Sequence, residues 1–109
     1  MAKKVKKVAK SKAKKQWEGN DTDALVKAFL SMRNSPEMKA FLRDLLTESE
    51  IIEFAKRFYA ARSIASSIHY TAIEEATGLS SRTIARVKKW YKHGKGGYKL
   101  AIKRWKNVR

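Results

Sequence analysis

Cysteine is absent from this chain, which excludes disulfides and thiolate metal sites and fits a reducing cytoplasm. No apolar run approaches the ~18 residues that a membrane-spanning helix requires, so no membrane partner is expected. Lysines near the N-terminus are not followed by an apolar segment, and a secretory signal is not expected either. Histidine is scarce: His69 and His93 fall at a loop and at a helix end, with no carboxylate cluster near either in sequence. No catalytic, metal-binding or cofactor-binding residues follow from such a pattern, and the chain is not expected to be an enzyme. Gly94, Gly96 and Gly97 with Lys95 match neither a Walker loop nor a dinucleotide fingerprint, and read as a helix stop and hinge whose lysine can touch a phosphate backbone. Nothing alternates with period two for long enough to predict a strand, so the expected class is all-α.

What the chain has instead is positive charge, unevenly placed. Its 109 residues carry a formal net charge of +16. Residues 1–16 hold eight lysines and no acid, and residues 82–109 hold eleven Lys/Arg and no acid, whereas residues 17–81 hold seven basic and ten acidic residues. Two acid-free blocks flanking a slightly acidic middle form an electrostatic footprint for a polyanion. Affinity gained by neutralising phosphates is salt-sensitive, because counterions are released. The N-terminal block is low in complexity and self-repelling. Residues 1–20 are therefore read as a disordered basic tail, able to act as an arm along phosphates or in a minor groove, or simply to aid solubility. Residues 21–109 are read as one small helical domain, whose core is marginal alone and would gain from dimerisation.

About six helices are expected. Asp21 or Thr22 can cap the first, with Leu25, Val26, Phe29 and Leu30 on one apolar face. Asn34, Ser35 and Pro36 interrupt it, and Pro36 suits the first turn of a second helix with Met38, Phe41, Leu42 and Leu45 as its stripe. Thr47 and Glu50 have capping-box spacing at the start of a third helix, which carries Ile51, Phe54, Ala55, Phe58, Ala61, Ile64 and Ala65. After the HGKGG linker, Tyr98, Ala101, Ile102 and Trp105 recur at helical spacing, with Lys99, Lys103 and Lys106 elsewhere on the surface. The stripes of the first two helices are wide for the chain available to cover them, which points to a second subunit.

Between these lies the most informative segment, TAIEEATGLSSRTIARVKK, residues 71–89. Thr71 and Glu74 again have capping-box spacing. Gly78 supplies the left-handed conformation that stops a helix and turns the chain, and Ser80 or Ser81 can cap the next. Ile73, Ala76, Leu79, Ile84 and Val87 are spaced to meet in one apolar wedge. On the opposite face Arg82, Arg86 and Lys89 form a polar stripe with Ser81 and Ala85 between them. A helix-turn-helix over about residues 71–91 follows, in the fourth and fifth helices, with its second helix suited to a DNA major groove. The candidate DNA-contacting residues are Thr71, Ser80, Ser81, Arg82, Thr83, Ala85, Arg86, Lys88, Lys89, Lys92 and Lys95.

From Leu46 to Ile102 the chain resembles the Trp repressor superfamily, most of all its YerC/YecD-type branch, with LTESEIIEFAKRF before the helix-turn-helix and HGKGGYKLAI after it. The resemblance implies a Trp-repressor-like, intertwined homodimer that binds double-stranded DNA, with two recognition helices facing a two-fold operator. It also implies a transcriptional regulator, expected to be a repressor, in the cytoplasm and associated with the nucleoid. In the Trp repressor itself the tryptophan pocket uses a threonine, two arginines and a glycine. Thr47, Arg57 and Arg86 match the first three, whereas Val87 stands in place of the glycine and Trp90 in place of a small polar residue. Both should fill the space a ligand indole needs, so tryptophan binding is not expected and no cofactor is implied. Two other readings stay open. An RNA-binding or ribosome-associated protein would share the basic ends and could stack bases on Trp17, Trp90, Tyr91 and Trp105. A helical adaptor would use the motif for packing alone.

Overall fold

The computed structural model describes residues 16–108. It has six α-helices: α1 (Asn20–Ser31), α2 (Ser35–Leu45), α3 (Glu48–Ala65), α4 (Tyr70–Thr77), α5 (Ser81–His93) and α6 (Gly97–Arg104), followed by a single 3-10 turn, Trp105–Asn107. No strand occurs among the described residues, and no helix there is long and apolar enough to cross a membrane. The expected tail falls largely outside them, since its residues 1–15 are not described. Contacts divide the described residues into two compact units, with the boundary after Ala40, inside the α2 segment.

In the first unit α1 begins before either residue expected to cap it. Gly19 is the N-cap, without a side-chain hydrogen bond, and the Thr22 hydroxyl donates instead to the carbonyl of Trp17. Asp21 and Asp23 then lie in the first turn, where they complement the helix dipole. The break before α2 is as the sequence suggests. Asn34 Oδ1 accepts from the Glu37 amide (3.0 Å) and Glu37 Oε1 accepts from the Arg33 amide (2.8 Å). Pro36 falls in the first helical turn, where backbone N–H groups lack intrahelical partners in any case. No residue of α1 or α2 is buried.

In the second unit α3 opens on the expected capping box: the Glu50 amide donates to Thr47 Oγ1 (3.1 Å) and the Thr47 amide to Glu50 Oε1 (2.9 Å). Its buried positions are Ala60 and Ala61, while Phe54 and Ala55, placed by periodicity on its apolar stripe, are exposed. Methyl-sized side chains let other elements approach the α3 backbone closely, and α4, α5 and α6 all pack against it. The core is Ala60, Ala61, Ile73, Leu79, Ile84 and Val87, with Ile64, Tyr70, Tyr98 and Ile102 against it.

Two devices shape the rim of that core. At the end of α3 the Ser67 amide donates to the Ile64 carbonyl (3.0 Å) and the Ile68 amide to that of Ser63 (2.9 Å), a Schellman arrangement. Its left-handed position is held by Ser67 (φ 61°), where glycine would be unstrained. At the C-terminus Trp105 leaves α6 and meets Phe58 edge-to-face, with ring centroids 6.2 Å apart. The Arg62 guanidinium lies 4.5 Å from the Trp105 centroid, 5.2 Å from Phe58 and 5.3 Å from Tyr59, so cation–π attraction ties the last turn to α3. Ala101, expected on the α6 stripe, is exposed, because Tyr98 and Ile102 alone face the core.

Candidate nucleic-acid interface

The helix-turn-helix forms, but its entry differs from the expected one. Thr71 does not cap α4. The helix begins at Tyr70, and His69 is the N-cap, its Nδ1 accepting from the Thr71 amide (3.2 Å). A Thr-x-x-Glu spacing is a local signal, and here the imidazole two residues upstream takes the donor that the pattern assigns elsewhere. Gly78 adopts φ 76°, and its amide donates to the Glu74 carbonyl (2.8 Å), which ends α4. Ser80 caps α5, accepting from the Thr83 amide (3.1 Å) and donating to Thr83 Oγ1 (3.1 Å).

Four of the five residues assigned to the wedge are buried there: Ile73, Leu79, Ile84 and Val87. Ala76 is exposed, and Thr77 is buried in its stead. The Thr77 hydroxyl donates to the Ile73 carbonyl (2.7 Å) and accepts from the Leu79 amide (3.1 Å), which joins the last turn of α4 to the turn residue that enters the core. Sequence reasoning missed this residue. Its signal was a threonine placed to bond back to the carbonyl four residues earlier, directly before the turn glycine.

With that wedge locked, the opposite face of α5 is presented as a unit. Ser81, Arg82, Ala85, Arg86 and Lys89 are exposed, and His93 continues the same face at the helix end. Among the described residues, the Arg43–Glu48 and Arg57–Glu53 ion pairs lie away from this stripe. Lys88 and Thr83 are half-buried on its two flanks, Lys92 is exposed beside Lys88, and Lys95 is exposed in the loop before α6. Thr71 is exposed in the first turn of α4. The arrangement offers cationic and hydroxyl groups on one rigid helix, without an acidic residue in α5 to oppose an incoming phosphate.

On one flank of α5 a cleft of about 100 Å³ is lined by Arg57, Thr83, Arg86, Val87, Trp90 and Tyr98. Arg57 and Arg86 are thus brought together, with Val87 and Trp90 beside them, whereas Thr47 caps α3 and is not among the lining residues. Tyr98, contributed by α6, was not assigned to this place by the sequence. The end of α5 is fitted to Trp90 as well: a Cβ on Gly94 would stand 2.4 Å from the Trp90 carbonyl oxygen and 2.8 Å from its Cε3. Among the described residues no group of three His, Cys, Asp or Glu side chains could hold a metal ion.

Comparison with known proteins agrees with this architecture. Residues 20–106 match the profile of the Trp repressor protein family. The chain is 36% identical over 90 residues to YerC of Bacillus subtilis, described as an uncharacterized protein, covering 83% of this chain and 86% of that one. It is similar to the crystal structure of a TrpR-like protein from Eubacterium eligens, with TM-score 0.80 and 29% identity over 86% of this chain and 97% of that one. A crystal structure from Staphylococcus aureus, named as a candidate Trp repressor, gives TM-score 0.78 and 32% identity over 88% and 98% of the two chains.

Proposed function

The chain belongs to the Trp repressor family, and from that premise we propose that it is a sequence-specific, double-stranded DNA-binding regulator, a repressor acting as a homodimer on the nucleoid. The observation that carries this reading is the exposed Arg82–Arg86–Lys89 stripe on a recognition helix held by a buried wedge. Arginines near the N-terminal half of such a helix are suited to base edges, and the lysines around them to phosphates. In this scheme Thr71, Ser81, Lys88, Lys92 and Lys95 hold the backbone, and Ala85 offers a methyl to a thymine.

Dimerisation is supported by apolar surface that the single chain leaves open. Leu30 is 79% exposed, Ile52 55% and Phe54 47%, apolar side chains on α1 and α3 that a second subunit would cover. A two-fold pair would bury such faces and place two recognition helices against half-sites about one DNA turn apart.

Tryptophan is not the effector in this reading. An apolar cavity of roughly 150 Å³ takes a single benzene ring, and the Arg57–Arg86 cleft has about 100 Å³, with the Val87 and Trp90 side chains in its wall. DNA binding should accordingly be independent of that ligand.

The test compares affinity for a duplex selected from a random library with affinity for structured RNA of matched length, at physiological salt. Tighter binding to the duplex is expected, and tighter binding to RNA would overturn the reading. Sedimentation should report twice the chain mass, and a cooperative folded monomer would refute the dimer.

A further inference from the structure

The flank of α5 opposite the Arg57–Arg86 cleft borders a second and larger one, of about 490 Å³, which shares Lys88 and Lys92 with the proposed duplex contacts but whose aromatic and aliphatic lining duplex recognition does not use. It is a half-open groove bordered by the Schellman turn at the end of α3, with Ile64, Ile68 and the left-handed Ser67, and by His69 and Tyr70 at the start of α4. Its near wall is Lys88, Tyr91 and Lys92. No Asp or Glu lines it. We propose that this cleft binds a small phosphate monoester carried on a planar ring, a mononucleotide or an aryl phosphate.

Charge and shape both lead to that class. Lys88 and Lys92 are one helical turn apart, so their ammonium groups repel each other along one edge of α5 unless an anion lies between them. Two positive charges match a phosphate monoester, which carries about −1.5 to −2 at neutral pH. Lys88 is already held at the cleft, its Nζ 5.4 Å from the centroid of the Tyr70 ring. His69, whose Nδ1 accepts from the Thr71 amide, leaves Nε2 as a ring donor. Beside these groups and the Ser67 hydroxyl, Ile64, Ile68 and Tyr91 contribute aliphatic and aromatic surface. One water needs roughly 10–15 Å³ of such space, so a cleft of about 490 Å³ is far larger than a bare phosphate needs, and the excess is bounded in part by groups that suit a flat ring.

The site is read without DNA present, so its failure and the failure of duplex recognition are separate results. Amide NMR shifts of the full chain are followed on titration with adenosine monophosphate, phenyl phosphate and inorganic phosphate. Both ring-bearing esters should give saturable shifts centred on residues 67–70 and 88–92, with inorganic phosphate about tenfold weaker or more. Preference for the nucleotide over phenyl phosphate would identify the ring as a base, and equal affinity a simple aryl group; either supports the site. Lys88→Gln and Lys92→Gln should each weaken adenosine monophosphate about tenfold, as loss of one charge-assisted hydrogen bond implies. The proposal is overturned by equal affinity for inorganic phosphate, by shifts centred on Arg82 and Arg86, by unchanged affinity in both variants, or by no saturable shift. Should a glutamine variant fail to fold, the selectivity of the parent for ring-bearing esters decides alone.

Discussion

Replacing Arg82 with alanine tests the interface most cleanly. Arg82 is the second residue of α5, exposed, and clear of the cleft that Arg86 shares with Arg57. Its removal empties no core, and alanine has the highest helix propensity, so stability should change by no more than about 0.5 kcal/mol. A guanine-directed arginine discriminates by about 1–3 kcal/mol. In a two-fold complex both half-sites lose the contact, so the preferred duplex should be weakened by about 2–6 kcal/mol, or about thirtyfold to 10⁴-fold. A scrambled duplex should lose much less, because it has only the charge of the side chain to lose. Fluorescence anisotropy on both duplexes, over a range of salt, separates the outcomes. If Arg82 instead touches phosphate, both affinities fall together and the slope of log affinity against log salt drops by about 0.9 per contact. If neither duplex responds, the α5 stripe is not the interface and the assignment is wrong.

Other consequences can be measured independently. Ile84→Ala removes a fully buried side chain and should cost about 2–5 kcal/mol in urea denaturation; a loss below about 1 kcal/mol would mean that the site collapses freely. Thr77→Val keeps the shape but leaves the Leu79 amide without its acceptor, and a destabilisation of about 1–3 kcal/mol should follow. Deleting residues 1–16 should weaken binding to every duplex and flatten the salt slope while sequence preference survives, and a loss of preference alone would show that the arm reads bases. Tryptophan in large excess should leave the thermal midpoint and operator affinity unchanged, whereas a ligand at a hundred times its Kd would add about 2.7 kcal/mol of stability.

The two capping boxes show how far local patterns reach. Thr47 and Glu50 form theirs, while Thr71 and Glu74, with the same spacing, do not, because α4 starts earlier and His69 caps it. A spacing rule lists compatible starts, and the register of the packed helix selects among them. Periodicity erred similarly on α3. It marked Ala61, which is fully buried, but also Phe54 and Ala55, which are exposed, and it missed Ala60, where small size rather than hydrophobicity permits the contact. The stripes on α1 and α2 were correctly seen as apolar, but burial depends on what covers them, and the single chain buries none of their residues.

The all-α class, the turn at Gly78, a serine cap at Ser80 or Ser81 and the outward stripe of α5 are legible in the sequence, and the structure selects Ser80 for the cap. Each depends on neighbours within a few residues: a 3.6-residue repeat, a backbone angle available to glycine, a hydroxyl three positions from an amide. Only the packing completes the clefts. Arg57 and Arg86 were paired by the family resemblance, but Tyr98 beside them, and Ile64, Tyr70 and Lys92 around the second cleft, come from separate helices, and nothing in their spacing along the chain indicates that they meet. They meet because Ala60 and Ala61 admit α4, α5 and α6 to the same side of α3, a consequence of packing among distant segments to which a local pattern is blind.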